Sequence, residues 1–317
     1  MAAGGGTKAI VAAFFANLGI AIAKFIGFAI TRSSSMLAEG IHSVADTSNQ
    51  ALLLWGNRAA KQPPTPQHPF GYGRERYFWS FVVALILFTL GSAFAIFEGV
   101  EKIRHPHELE SHWVAVAILV AGILLEGWSF RTAVVESRPL KRNLSWRQFV
   151  QRSRVPELPV VLLEDLGALV GLFLALFGVG LTSLTDDAVW DGIATLAIGV
   201  LLGIIAIVLA IEMKSLLIGE GATPEDHAAI IGALEAREGV HHVIDVKTQH
   251  VGPDDLLVAA KLGFDPDLDG SEMADVVNDT ERAIREAVPV ATMIYLEHDI
   301  FRPELQDPQS PTLDRLA

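Results

Sequence analysis

The chain has 317 residues, of which 51% are hydrophobic and 19% charged, with no cysteine. Without cysteine, thiolate metal sites, disulfides and thiol nucleophiles are excluded, so any metal site must use imidazole, carboxylate, amide or water. The formal net charge of −13 argues against nucleic acid as a partner, because phosphate contacts need a basic face.

A spanning helix needs about 20 mostly apolar residues, and six segments fit. They are 8–30, 34–60, 77–99, 113–135, 157–180 and 190–217. The N-terminus, MAAGGGTKAIV, has no Arg-rich transit pattern and no cleavage-type small-residue site, so the first run reads as a retained span. The second segment is less apolar and carries polar residues at regular spacing. The third opens YFWSF, with aromatics suited to a membrane interface. Between the segments lie the loops 61–76, 102–112, 136–156 and 181–189. The 2–3 loop carries Arg58, Lys61, Arg74 and Arg76. The 4–5 loop carries Arg138, Lys141, Arg142, Arg147, Arg152 and Arg154. The opposite side has Arg32, Lys102 and Arg104. The positive-inside rule therefore puts both chain ends in the cytoplasm or its organellar equivalent. The expectation is a multi-pass integral membrane protein surrounded by lipid, sited in the inner membrane if the cell is bacterial.

Past residue 218 the composition changes. Residues 219–317 hold 21 acidic and 7 basic residues, against 16 and 17 in the first 218. An acidic surface attracts cations. Residues 223–237 read as a capped helix, 241–251 and 256–264 as strands joined by the turn GPDD, 271–288 as an amphipathic helix and 292–301 as a last strand. The order αββαβ predicts helices on one face of an antiparallel sheet. The domains expected are thus a transport bundle (1–218), an α+β unit (219–303) and a disordered end (304–317).

At 100° per residue, Ser35, Glu39, His42, Asp46 and Asn49 of the second segment fall within an arc of about 80°. His42 and Asp46 stack one turn apart. Ionisable groups at membrane depth cost several kcal/mol unless paired, hydrated or metal-bound. The stripe is either a polar seam between helices or a cation site, and five polar groups on one face favour the site. The fifth segment carries Glu164 and Asp165 near its middle with no basic partner in the span. His42, Asp46 and Asp165 together offer one imidazole and two carboxylates, which suits Zn²⁺ or another borderline divalent ion. Water, Glu164, Glu39 or Asn49 could fill a fourth position. Such ligands must lose protons to bind metal, so one site can exchange a metal ion for protons.

The segments SSSMLAEGIHSVADTSNQ, HPFGYGRERYFW and WDGIATLAIGVLLGIIAI resemble, in order, the second helix, the following loop and the sixth helix of the cation diffusion facilitator family of divalent-metal/proton antiporters. The resemblance covers nearly the whole chain. It implies a membrane all-α bundle of six helices with a cytoplasmic, metallochaperone-like (ferredoxin-like) αββαβ domain that dimerises, so a homodimer. His42 and Asp46 match the family's second-helix ligands, and Asp165 its fifth-helix Asp. The His that the family often has four residues earlier is Val161 here. VVLLEDLGALVGL resembles a divergent branch near the organellar zinc transporters. At the family's tail His positions stand Lys261 and Leu296, with His241, His242, His250 and His298 nearby.

Other polar residues have plainer readings. Lys24 either neutralises a carboxylate or snorkels to the interface. Glu98 and Glu126 read as structural hydrogen-bonding groups, His105, His107 and His112 as solvated loop residues, and His68, Phe70 and Gly71 as shaping their loop. The leading function is secondary efflux of a divalent cation, zinc foremost, in exchange for protons, with no resident cofactor and no enzymatic activity. The alternatives are a membrane-tethered metal sensor and an intramembrane metalloenzyme.

Overall fold

The computed structural model describes residues 6–31, 34–106 and 112–300, except the side chains of 31, 34–39, 41, 42, 45, 112, 114 and 115. The segment 304–317 and His107 lie outside the described residues. In chain order the helical region comprises α1 (Thr7–Thr31), α2 (Ser34–Ala59), α3 (Glu75–Ile86), a π-helical segment (Leu87–Ala93), α4 (Phe94–Arg104), α5 (His112–Lys141), α6 (Trp146–Arg152), α7 (Glu157–Thr185) and α8 (Val189–Ile218). After it come α9 (Pro224–Glu235), β1 (Val240–Gly252), β2 (Asp255–Phe264), α10 (Gly270–Ala287) and β3 (Met293–His298). The chain divides into two compact units. One holds the residues up to Gln62 together with Glu75–Lys214, and the other Pro63–Arg74 together with Ser215 onward.

Among the described residues, five helical stretches are long and apolar enough to cross a membrane: Thr7–Ile30, Glu75–Arg104, Val116–Lys141, Glu157–Thr185 and Val189–Ile218. The 26-residue α2 is long enough as well; its polar stripe is what makes it less apolar. Burial runs inside out compared with a water-soluble protein. Phe97 and Phe177 are about two-thirds exposed on the outside, while Asn17, Asn49, Gln50, Glu126, Glu164 and Asp165 are buried. Only a bilayer makes that distribution favourable, because lipid tails solvate the apolar face and give polar groups no partner.

The third span differs from the expected uninterrupted helix over 77–99. It runs from Glu75 to Arg104 and passes through a π-helical segment. One hydroxyl competes for a carbonyl of this span, and a second ties the segment to α8. Thr89 Oγ1 donates back to the Leu85 carbonyl at 2.9 Å. Ser92 Oγ donates across to the Gly199 carbonyl of α8 at 2.8 Å. Side-chain donors of this kind offer backbone carbonyls an alternative to the helical bond.

The 4–5 connection is also more ordered than a loop over 136–156. Helix α5 continues through Pro139 to Lys141, and α6 follows, opened by a capping box between Ser145 and Gln148. Arg138, Lys141, Arg147 and Arg152 sit on helical backbone, and Arg142 and Arg154 lie outside it. Likewise α7 continues to Thr185, where Asp186 ends it in the left-handed region, so the 5–6 loop is shorter than 181–189.

In the second unit the αββαβ order is present, but the sheet is mixed. Strand β1 pairs antiparallel with β2, and β2 pairs parallel with β3, in the order β1-β2-β3. The reason is topological. A turn at residues 253–254 reverses the chain between β1 and β2, whereas α10 carries it back to the starting end before β3, and such a crossover makes neighbours parallel. On β2, Leu256, Val258, Ala260, Leu262 and Phe264 are buried at every second position. They form one core with Ile230 and Leu234 of α9, Ile284 of α10 and Ile294 of β3. Asp269 caps α10. The backbone N–H groups of Glu272 and Ser271 donate to its carboxylate and hold it below the usual Asp range.

The segment 63–74 shapes itself as expected from its His, Phe and Gly. The Thr65 and His68 backbones exchange hydrogen bonds, the His68 ring lies 4.6 Å from the Tyr72 ring, and Gly71 takes φ +80°. A Cβ at Gly73 would stand 2.8 Å from the Gly252 Cα.

Candidate metal centre

The end of the α2 stripe that the structure describes lies at Asp46 and Asn49. Asn49 and Gln50 are buried, and their amides donate to the two oxygens of Glu164, each at 3.1 Å. Glu164 is thus tied by both oxygens to α2. The adjacent Asp165 points elsewhere, as a 100° step along α7 requires. Its Oδ2 accepts from Ser129 Oγ of α5 at 2.6 Å, and its Oδ1 is buried without a hydrogen-bond partner among the described residues. Two neighbouring carboxylates therefore reach two different helices.

Asp46 lies one turn before Asn49 and Gln50 and is half-buried. Coulombic interactions join Glu164 to Asp46 and Asp165. They also join Glu126 of α5 to Asp165, Asp46, Glu164 and Lys24. The ammonium of Lys24 on α1 thus belongs to the acidic group, which favours the charge-neutralising reading over snorkelling. Val161 is fully buried.

The structure accordingly gathers Asp46, Asn49, Glu164 and Asp165 in one region of the bundle. The side chains of Glu39 and His42 lie outside the described residues; their backbones belong to α2. Among the described residues, no three His, Asp or Glu side chains stand close enough together to hold a metal ion. Sequence reasoning missed Gln50 and Ser129. Both had a signal: Gln50 is four residues after Asp46, on the edge of the stripe, and Ser129 is three after Glu126 in an otherwise apolar helix. Glu126 Oε2 is buried and, among the described residues, has no hydrogen-bond partner.

Other charges form ion pairs. Lys102 Nζ bridges Glu98 at 3.3 Å and Asp191 of α8 at 3.0 Å. Arg76 at the start of α3 forms a bidentate pair with Glu157 at the start of α7, with Nη2 to Oε2 at 2.9 Å. In the tail, Lys261 bonds Glu297 on the neighbouring strand at 3.1 Å and lies 3.6 Å from Asp299. Those two carboxylates, Glu297 first, raise its pKa. His241 stands 3.5 Å from Asp265 and is exposed.

Residues 10–218 match the family model described as the cation efflux transmembrane domain, and residues 222–299 match that of the cation efflux protein cytoplasmic domain. The mitochondrial proton-coupled zinc antiporter of Xenopus laevis is 34% identical over 244 residues, which are 76% of this chain and 44% of that protein. The human protein of the same name has the same identity, over 43% of its length. A metal tolerance protein of Arabidopsis thaliana is 29% identical over 81% of this chain and 57% of its own. The chain thus spans about half the length of these relatives.

Proposed function

Because the chain belongs to the cation efflux family, the cation diffusion facilitators, we propose that it is a secondary transporter exchanging a divalent metal cation, zinc foremost, for protons. His42, Asp46 and Asp165 hold the ion, and flux runs out of the compartment that contains the acidic tail. The observation that carries this reading is the gathering of Asp46 and Asp165 with two further carboxylates inside a bundle whose outer face is apolar. Buried intramembrane charge is costly and marks ion pathways.

Zinc is favoured on two grounds. Relatives similar over three quarters of this chain carry zinc antiport in their names. An imidazole with carboxylates, and no thiolate, suits a borderline ion that must be released again. Protons couple because the same donors bind either a metal or protons. The ion is passed across by rocking of helices about a midplane site. The tail domain joins two copies into a homodimer, and its acidic surface raises the local cation concentration. Asn49 and Glu164 position α2 against α7, while Glu39 lies on the ligand stripe beyond His42.

The test is flux into sealed proteoliposomes, with Zn²⁺, Mn²⁺, Fe²⁺, Co²⁺, Ni²⁺ and Cd²⁺ in competition. Zinc is expected to compete best, and Asp46→Ala and Asp165→Ala to lose uptake. Wild-type uptake by both variants would refute the pathway.

A further inference from the structure

We propose that Glu126 of α5 is a ligand of the transported ion, supplying from the fourth span the donor that Val161 cannot provide from the fifth. This inference rests on the transport reading above and adds a third helix to the site.

The position of Glu126 follows from the bonds around it. Ser129, one turn further along α5, donates to Asp165 at 2.6 Å. Asn49 and Gln50, one turn beyond Asp46 on α2, donate to Glu164. Helices α2 and α5 are separated by one span and its return, so they run in the same direction. Stepping back one turn from the α7 contacts, about 5 Å, reaches Asp46 on α2 and Glu126 on α5 at the same level. The Coulombic links between Glu126 and Asp46, Asp165 and Glu164 agree with that placement.

Availability separates the two spare carboxylates. Both oxygens of Glu164 accept amide hydrogens from α2. Glu126 is 2% exposed and, among the described residues, its Oε2 has no hydrogen-bond partner, as is also true of Asp165 Oδ1. A buried carboxylate oxygen without a donor is costly. In the proposed bound state a divalent cation would satisfy it and Asp165 Oδ1 together, after a closing movement, because no three described His, Asp or Glu side chains stand close enough to share an ion as they are. The flexible Glu side chain can close on an ion already held by Asp46 and Asp165. Packing keeps α5 in place for this: a Cβ at Gly19 of α1 would lie 3.1 Å from Leu125, and one at Gly122 would lie 3.2 Å from Leu172 of α7.

The test is equilibrium binding of Zn²⁺ to the purified full-length protein. Glu126→Gln keeps the shape and removes the charge; it should weaken zinc binding by about 10- to 100-fold, the range for lost metal-site groups. Glu126→His restores a donor without the carboxylate and should regain about tenfold of that loss, with a changed preference between Zn²⁺ and Mn²⁺. Glu164→Gln should bind as the parent does. If Glu126→Gln binds as the parent while Asp165→Asn does not, Glu126 is no ligand and the transport site stands. If Asp165→Asn also binds as the parent, the transport site itself is wrong. Should Glu126→Gln fail to fold, Glu126→His decides: binding within about tenfold of the parent with a changed Zn²⁺/Mn²⁺ preference supports the ligand role, and an unchanged preference overturns it.

Discussion

Asn49 of α2 donates its side-chain amide to Glu164 of α7 at 3.1 Å, and Gln50 does the same to the other carboxylate oxygen. This pair of bonds gives Glu164 a different task from Asp165, its neighbour in sequence. Glu164 holds two spans together, and Asp165 keeps one oxygen open.

Replacement of Glu164 should therefore act on stability before transport. Interhelical hydrogen bonds in membranes average only about 0.6 kcal/mol, but stranding a buried amide costs about 1–3 kcal/mol. The second effect decides. Glu164→Leu, which strands two amides, should lower the thermal unfolding midpoint clearly, whereas Glu164→Gln keeps an acceptor and should lower it less. Both should retain zinc affinity if they fold. A loss of affinity in folded Glu164→Gln would return Glu164 to the ligand set.

The Arg76–Glu157 pair offers a second test. Both side chains are buried, at 10% and 1% exposure. Removing one partner of a buried pair costs about 3–5 kcal/mol, while replacing both with apolar residues is often neutral. Arg76→Ala should be severely destabilised, and Arg76→Leu with Glu157→Leu should be more stable than either single change. Thermal unfolding of the four proteins measures the coupling.

Close helix packing gives a third. A Cβ at Gly99 of α4 would lie 2.5 Å from the Leu196 backbone nitrogen of α8, and one at Gly199 would lie 2.7 Å from that of Ile96. Backbone cannot move aside as a side chain can, so Gly99→Val should cost at least the 1–3 kcal/mol typical of roughly one overpacked site. The readout is the yield of monodisperse protein and its midpoint. An unchanged midpoint would contradict the packing.

Periodicity revealed what repeats. Apolar length marked the spans, and the 3.6-residue spacing of Ser35, Glu39, His42, Asp46 and Asn49 marked the polar face of α2. It could not reveal pairing across helices: nothing local in the sequence says that Glu164 faces Asn49 and Gln50 while Asp165 faces Ser129. The π-helical segment was hidden as well, since Leu87–Ala93 reads as ordinary apolar helix. The parallel β2–β3 pair was hidden by topology, because strand alternation is the same in parallel and antiparallel edges.

In the tail, Asp269 predicts a pH dependence. Its carboxyl is held below the ordinary Asp value by the Glu272 and Ser271 amides. A group whose folded pKa is lowered stabilises fully above its unfolded value, about 3.9, and that stabilisation is lost as pH falls through the folded value. Asp269→Asn keeps an acceptor but has no charge to titrate. The midpoint gap between parent and Asp269→Asn should be constant near neutrality and narrow in acid. A gap independent of pH would contradict the capping role.

The central claim is exchange of metal for protons through Asp46 and Asp165. The most direct measurement follows zinc and pH together inside sealed proteoliposomes carrying the full-length chain. The account predicts that zinc entry drives proton exit, that an imposed proton gradient drives zinc uphill, and that Asp165→Ala abolishes both signals. Zinc movement indifferent to the proton gradient, or parental exchange by Asp165→Ala, would contradict it.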